Sequence, residues 1–241
     1  MDHPADADAD PAETDAPKRW GLPHALVGWV VAFLAASVAS TAYAVATGLE
    51  ADELTLGRLV ASFAGLWLGL GATVLYAKSL TPGGTLRSEF GLAFKAVDAG
   101  IGLLTGLGTQ IILLRIVYLP WILLDDDFGK RLDEPAERLT GTAEGAGYLV
   151  LSLFIALGAP LVEELFFRGL LQRSLLRRFS PAVAIGLGGL LFGLAHLDPI
   201  TIPGLTAFGI VAGWLAYRYQ RLGPAIWAHV FFNLVTVIAL A

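Results

Sequence analysis

The sequence predicts an all-α fold: a polytopic transmembrane helical bundle of about seven spans. Three observations lead there. Of the 241 residues, 56% are hydrophobic and only 15% charged, with a mean hydropathy of +0.67. A water-soluble domain of this length cannot hide that much apolar surface, so the bilayer is the natural solvent. Apolar runs of the length that crosses a hydrocarbon core, roughly 20 residues, recur along most of the chain. The 28 glycines suit helices that approach closely in lipid.

Taken in order, residues 1–19 are rich in Ala, Asp and Pro and hold six acids: Asp2, Asp6, Asp8, Asp10, Glu13 and Asp15. They read as a disordered, solvated tail, and not as a signal peptide, which opens with a basic region. Spans are expected at 25–47, 58–77, 99–124, 146–171, 181–197, 200–218 and 223–241. The last three are short or interrupted by Gly and Pro. Residues 80–98 open with a turn and continue as an interfacial helix, and residues 125–144 form a polar, acidic loop. Residues 20–241 then make one transmembrane domain, with no internal repeat.

Lysine and arginine placement orients the bundle. With the N-terminus inside, Lys18, Arg19, Lys78, Arg87, Lys95, Arg173, Arg177, Arg178, Arg218 and Arg221 lie on the inner side. Only Arg58, Lys130, Arg131 and Arg138 lie outside. The expected protein is therefore a multi-pass protein of the cell membrane, with a cytoplasmic N-terminus and an external C-terminus.

Ionisable side chains inside a span cost about 2.5–3.5 kcal/mol on insertion scales and mark function by default. They gather in the C-terminal half. Glu163, Glu164 and Arg168 fall in the fourth expected span, His196 ends the fifth, and His229 and Asn233 lie in the seventh. Glu164 and Arg168 stand at i and i+4, the favourable order for a helical ion pair. Glu163 points about 100° away and has no local partner. His229 and Asn233 share one face, as do Phe192 and His196. A hairpin turning at Ser180-Pro181 puts Glu163 and His196 at similar height, each roughly 22 Å from the turn. Glu163 then lies roughly 13 Å deep and His229 roughly 9 Å deep, measured from Gln172 and Gly223. One carboxylate and two imidazoles can thus meet in a polar cavity between the C-terminal helices, nearer the cytoplasmic side.

Three motifs carry a family resemblance: EExxxR as Glu163-Glu164-Leu165-Phe166-Phe167-Arg168, FxxxH from Phe192 to His196, and HxxxN from His229 to Asn233. With these the chain resembles the CPBP family of CAAX proteases and bacteriocin-processing (Abi) proteins, which includes the type II CAAX prenyl endopeptidase. The resemblance implies a peptidase with its catalytic core over about 144–241, acting on a membrane-associated polypeptide. It implies that Glu163 activates water and that His196 holds that water. It implies further that His229 and Asn233 stabilise the oxyanion, that Glu164 and Arg168 support the site, and that Phe192 packs beside His196. Donors aimed at an oxyanion gain strength where water is scarce.

Each residue also has a plainer reading. Glu164 with Arg168 can be a lock between helices, and His229 with Asn233 can be interhelical hydrogen-bonding. Trp67, Trp121 and Trp227 read as interface anchors or packing, and Gln110 as an interhelical hydrogen bonder. Arg115, mid-span in the third run, is open between ion pairing, snorkelling and substrate contact. No cofactor is expected. Zinc is the alternative, held by Glu163, His196 and His229, although the HExxH spacing is absent. The absence of cysteine removes thiolate ligands and cysteine nucleophiles. Expected partners are the bilayer and a polypeptide, with no nucleic acid. A non-proteolytic scaffold or immunity-type protein that keeps the pocket is the competing reading, and a proton or ion carrier the third.

Overall fold

The computed structural model describes residues 19–239. The tail expected over 1–19 lies outside the described residues except for Arg19. The described chain is helical throughout: α1 Leu22–Thr47, α2 Leu56–Ser79, α3 Leu86–Phe90, α4 Val97–Leu124, α5 Phe128–Thr140, α6 Gly145–Leu176, α7 Pro181–Leu194, α8 Ile202–Tyr219 and α9 Gly223–Ala239. Seven of these coincide with the seven expected runs. Four of them (α1, α2, α4 and α6) are long and apolar enough to cross a membrane.

The C-terminal helices are shorter, and the difference matters for the site. With 14 residues, α7 spans roughly 21 Å, less than the roughly 30 Å hydrocarbon core. A helix of that length that began at one surface would stop short of the other, and His196 follows two residues after its end. Non-helical backbone at that depth is tolerated where protein covers it. Here Tyr118 of α4 does so. Its hydroxyl lies 2.9 Å from the Ile200 carbonyl and accepts from Gly204 N–H at 2.9 Å.

Small residues let the helices close up. A Cβ at Gly69 of α2 would lie 2.5 Å from the Ala32 Cα of α1. One at Gly209 of α8 would lie 2.8 Å from the Gly189 Cα of α7. Lipid supplies no hydrophobic drive between helices, so such backbone contact is what holds them. The long helices are not uniformly α. π-Helical turns occupy Thr109–Leu113 in α4, and Phe154–Gly158 and Leu165–Gln172 in α6. Pro160 follows the second of these and has no N–H to return to the preceding turn. A widened turn is the usual way a helix absorbs that loss.

Two expectations change. Residues 80–98 do not form one interfacial helix. The Thr85 hydroxyl caps Ser88 N–H at 3.0 Å, which starts α3, and Gly91 at φ 75 stops it after one turn. The chain then runs extended and its carbonyls are taken by the α8–α9 turn: Gly91 O accepts Leu222 N–H at 2.8 Å and Ala93 O accepts Gly223 N–H at 3.1 Å. Asp98, fully buried, clamps the same turn through Arg221. Residues 125–144 are not simply a loop. They contain the amphipathic helix α5, whose Phe128 packs against Tyr118 and Trp121 and whose polar face carries the Arg138–Glu134 pair at i and i+4.

Candidate active site

The paired glutamates lie in one α-helical turn, Ala159–Glu164, held between the two π stretches of α6. Such bulges are common where a helix presents functional groups. The neighbours part company. Glu164 is fully buried, and its Oε1 accepts from Arg168 Nη1 at 2.8 Å and from His229 Nδ1 at 2.9 Å. Glu163 is half-buried and makes no hydrogen bond or ion pair among the described residues.

Arg168 is the centre of the buried polar layer. Its Nη2 donates to Gly209 O at 3.2 Å, and its guanidinium stacks 4.4 Å from the Phe192 ring centroid. Gln172, one turn further on, donates to Gly213 O at 2.8 Å and is 1% exposed. The polar face of α6 therefore runs Glu164, Arg168, Gln172, and its last two members grip the backbone of α8. Gln172 was absent from the candidate residues. The rule that marks polar groups inside apolar runs, applied at i+4 from Arg168, identifies it.

Phe192, fully buried, is the hub that joins the three motifs. Its ring meets Arg168, the His196 ring at 5.0 Å and the His229 ring at 5.5 Å. Phe208 of α8 adds a second wall at 4.8 Å from His229. This partner lies outside every motif and nothing in its local sequence announces it.

The imidazoles are oriented by what they bond. His196 Nδ1 lies 2.9 Å from Phe192 O, a carbonyl in the last turn of α7 that has no helical N–H to meet it. Nδ1–H therefore donates, and in the neutral ring Nε2 carries the lone pair. His229 gives Nδ1–H to Glu164 and likewise presents Nε2. The turn after His196 is tight: Leu197 has φ 56 although its side chain is 74% exposed. A leucine in the left-handed region costs roughly 1–2 kcal/mol, and it directly follows His196. Asn233 donates Nδ2–H to Ile155 O at 2.8 Å. That carbonyl lies in the Phe154–Gly158 π turn, where the widened ladder exposes it. One N–H of the Asn233 amide remains.

Glu164, Arg168, His229, Phe192 and His196 thus form one connected cluster, and Asn233 lies one turn beyond His229. Glu163 has no direct bond to His196 or His229. Arg115 is exposed on α4 and unpaired among the described residues. Gln110 bonds Thr236 of α9 at 3.2 Å, an interhelical contact as expected. No group of three or more His, Asp or Glu side chains among the described residues is close enough to hold a metal ion. Glu163, His196 and His229 do not fit a zinc site as they stand.

No curated protein and no solved structure matches the chain. Residues 145–235 match the family model described as Type II CAAX prenyl endopeptidase Rce1-like. That stretch runs from the start of α6 into α9 and takes in all three motifs, and over it the chain is similar to the type II CAAX prenyl endopeptidases.

Proposed function

We propose that the protein is an intramembrane peptidase that hydrolyses a peptide bond of a membrane-associated polypeptide, with Glu163 as the base that activates water. The observation that carries this reading is the division of labour between adjacent carboxylates. Glu164 is fully buried and spends Oε1 on both Arg168 and His229, while Glu163 is half-buried and keeps both oxygens available. A base needs a free acceptor within reach of the proton it removes.

The reaction then balances as follows. Glu163 takes a proton from water held by His196 Nε2, and the resulting hydroxide adds to the scissile carbonyl. The oxyanion is met by the remaining Asn233 N–H. His229 joins as a second donor when Nε2 is protonated, since its Nδ1–H is already given to Glu164. Glu163 returns its proton to the leaving amine as the C–N bond breaks. Arg168 and Phe192 keep His229 and Glu164 in register and do not touch the substrate. On this reading the arginine-rich end of the bundle is cytoplasmic, with the N-terminus inside and the C-terminus outside. The family description makes a prenylated, CAAX-like peptide the first substrate to try.

The test is cleavage of a prenylated CAAX peptide and of an unprenylated peptide library by purified protein in detergent. Wild type and Glu163→Ala are compared with and without a zinc chelator. Cleavage lost in the variant and indifferent to chelator supports the mechanism. Chelator-sensitive cleavage moves the chemistry to a metal. No cleavage of either substrate class by wild type favours a scaffold that keeps the pocket.

A further inference from the structure

The arginine-rich end of the bundle contains a cavity of about 250 Å³ that the hydrolytic reading leaves unused. Five segments build it: Trp20 before α1, Ser88 and Glu89 of α3, the last two turns of α6, the end of α8, and Leu222. Arg168, Gln172, Arg173 and Arg177 line it along α6. Its lining therefore includes Arg168, the residue whose guanidinium holds Glu164. We propose that this cavity is a binding site for a phosphate-bearing anion, and that its occupant is the headgroup of an anionic phospholipid.

The walls argue for an anion. Arg168, Arg173 and Arg177 line it, against the carboxylates of Glu89 and of Glu164 bonded to Arg168, so among the described residues these arginines carry one positive charge more than the two carboxylates offset. The cations are built in. Arg173 reaches Glu89 O at 3.4 Å, and Arg177 donates to Trp20 O at 2.8 Å while lying 4.2 Å from the Trp20 ring. Trp20 is itself 3% exposed and donates Nε1–H to Glu89 at 3.0 Å. Gln172 adds a buried amide at the floor. Planar guanidiniums in a fixed fork match phosphate oxygens.

The location argues for a lipid. Arg173 and Arg177 bracket the last residue of α6, the level at which a span meets the headgroups. Tyr217, an exposed lining residue, brings to the cavity an aromatic of the kind that favours that interface. Basic pockets between helices at this level are known lipid-headgroup sites. Because Arg168 is shared, an occupied cavity also holds the active-site ion pair from behind.

The experiment uses the full chain in zwitterionic detergent. Short-chain phosphatidylglycerol, short-chain phosphatidylcholine and inorganic phosphate are titrated at matched ionic strength, with Tm and lipid retained in native mass spectra as readouts. Phosphatidylglycerol is expected to raise Tm and stay bound, and phosphatidylcholine is not. Arg173→Gln and Gln220→Glu should each weaken binding roughly fivefold, the effect of one unit of charge at a membrane surface. Gln220→Glu works at the exposed rim and decides the matter alone if Arg173→Gln does not fold. Arg178→Gln removes the same charge from a residue outside the cavity and should leave binding unchanged. Equal binding of both lipids overturns the site, as does an equal loss in Arg178→Gln. Inorganic phosphate reproducing the shift, with the same variant dependence, overturns the lipid assignment.

Discussion

Replacing Arg168 by methionine removes a cation that is 2% exposed and leaves Glu164, fully buried, with His229 as its one remaining partner. Glu164 Oε2 already has no hydrogen-bond partner within the described residues. Breaking a buried ion pair from one side costs about 3–5 kcal/mol, because the other charge stays behind. The lost stacking on Phe192 lies within that figure. The more discriminating prediction concerns the double variant. Adding Glu164→Gln removes the stranded charge and keeps the side-chain shape, and replacing both members of a buried pair by neutral groups is often close to neutral. Arg168→Met/Glu164→Gln should therefore be more stable than Arg168→Met alone, by about 1–2 kcal/mol. Unfolding in mixed micelles by added sodium dodecyl sulfate, followed by circular dichroism, measures the wild type and both variants. A double variant less stable than Arg168→Met would refute the view that Glu164 and Arg168 are a mutually dependent pair.

The remaining predictions concern backbone positions that set the geometry. Leu197→Gly should hold the fold, because glycine accepts φ 56 without strain and the leucine side chain is 74% exposed. Leu197→Val keeps a Cβ in the left-handed region and should be about 1–2 kcal/mol less stable than Leu197→Gly, read as Tm; equal stability in the two variants would remove the strain argument. Gly209→Ala places a methyl 2.8 Å from the Gly189 backbone, whereas Gly186→Ala meets nothing within 4 Å. The first is expected to lower Tm and the second to leave it or raise it slightly, and the reverse order would contradict the packing of α7 on α8.

The sequence announces the spans because apolar run length is a one-dimensional property. It also announces the pairing of Glu164 with Arg168, because i and i+4 fix that contact within one helix. What it hides comes from tertiary or amphipathic patterns. The helix α5 is too polar to register as an apolar run. The stop at Gly91 depends on a positive φ, and the π turns around Pro160 are not visible in spacing. The bond from His229 to Glu164 spans 65 positions. It changes the chemistry expected of both residues, since it withdraws one donor of His229 from the oxyanion and separates Glu164 from its neighbour Glu163. Phe208 and Gln172 escaped for different reasons. The phenylalanine is one apolar residue among many, while the glutamine continues the polar stripe of Glu164 and Arg168 by one further turn.

The central claim is that adjacent glutamates do different work, Glu163 chemical and Glu164 structural. The most direct measurement is single-turnover cleavage of a lipid-anchored peptide in nanodiscs by wild type, Glu163→Gln and Glu164→Gln, with Tm recorded for each. The account predicts that Glu163→Gln keeps the wild-type Tm and loses cleavage, while Glu164→Gln lowers Tm and retains measurable cleavage once folded. Cleavage by Glu163→Gln at the wild-type rate, or a Tm loss in Glu163→Gln equal to that in Glu164→Gln, would contradict it.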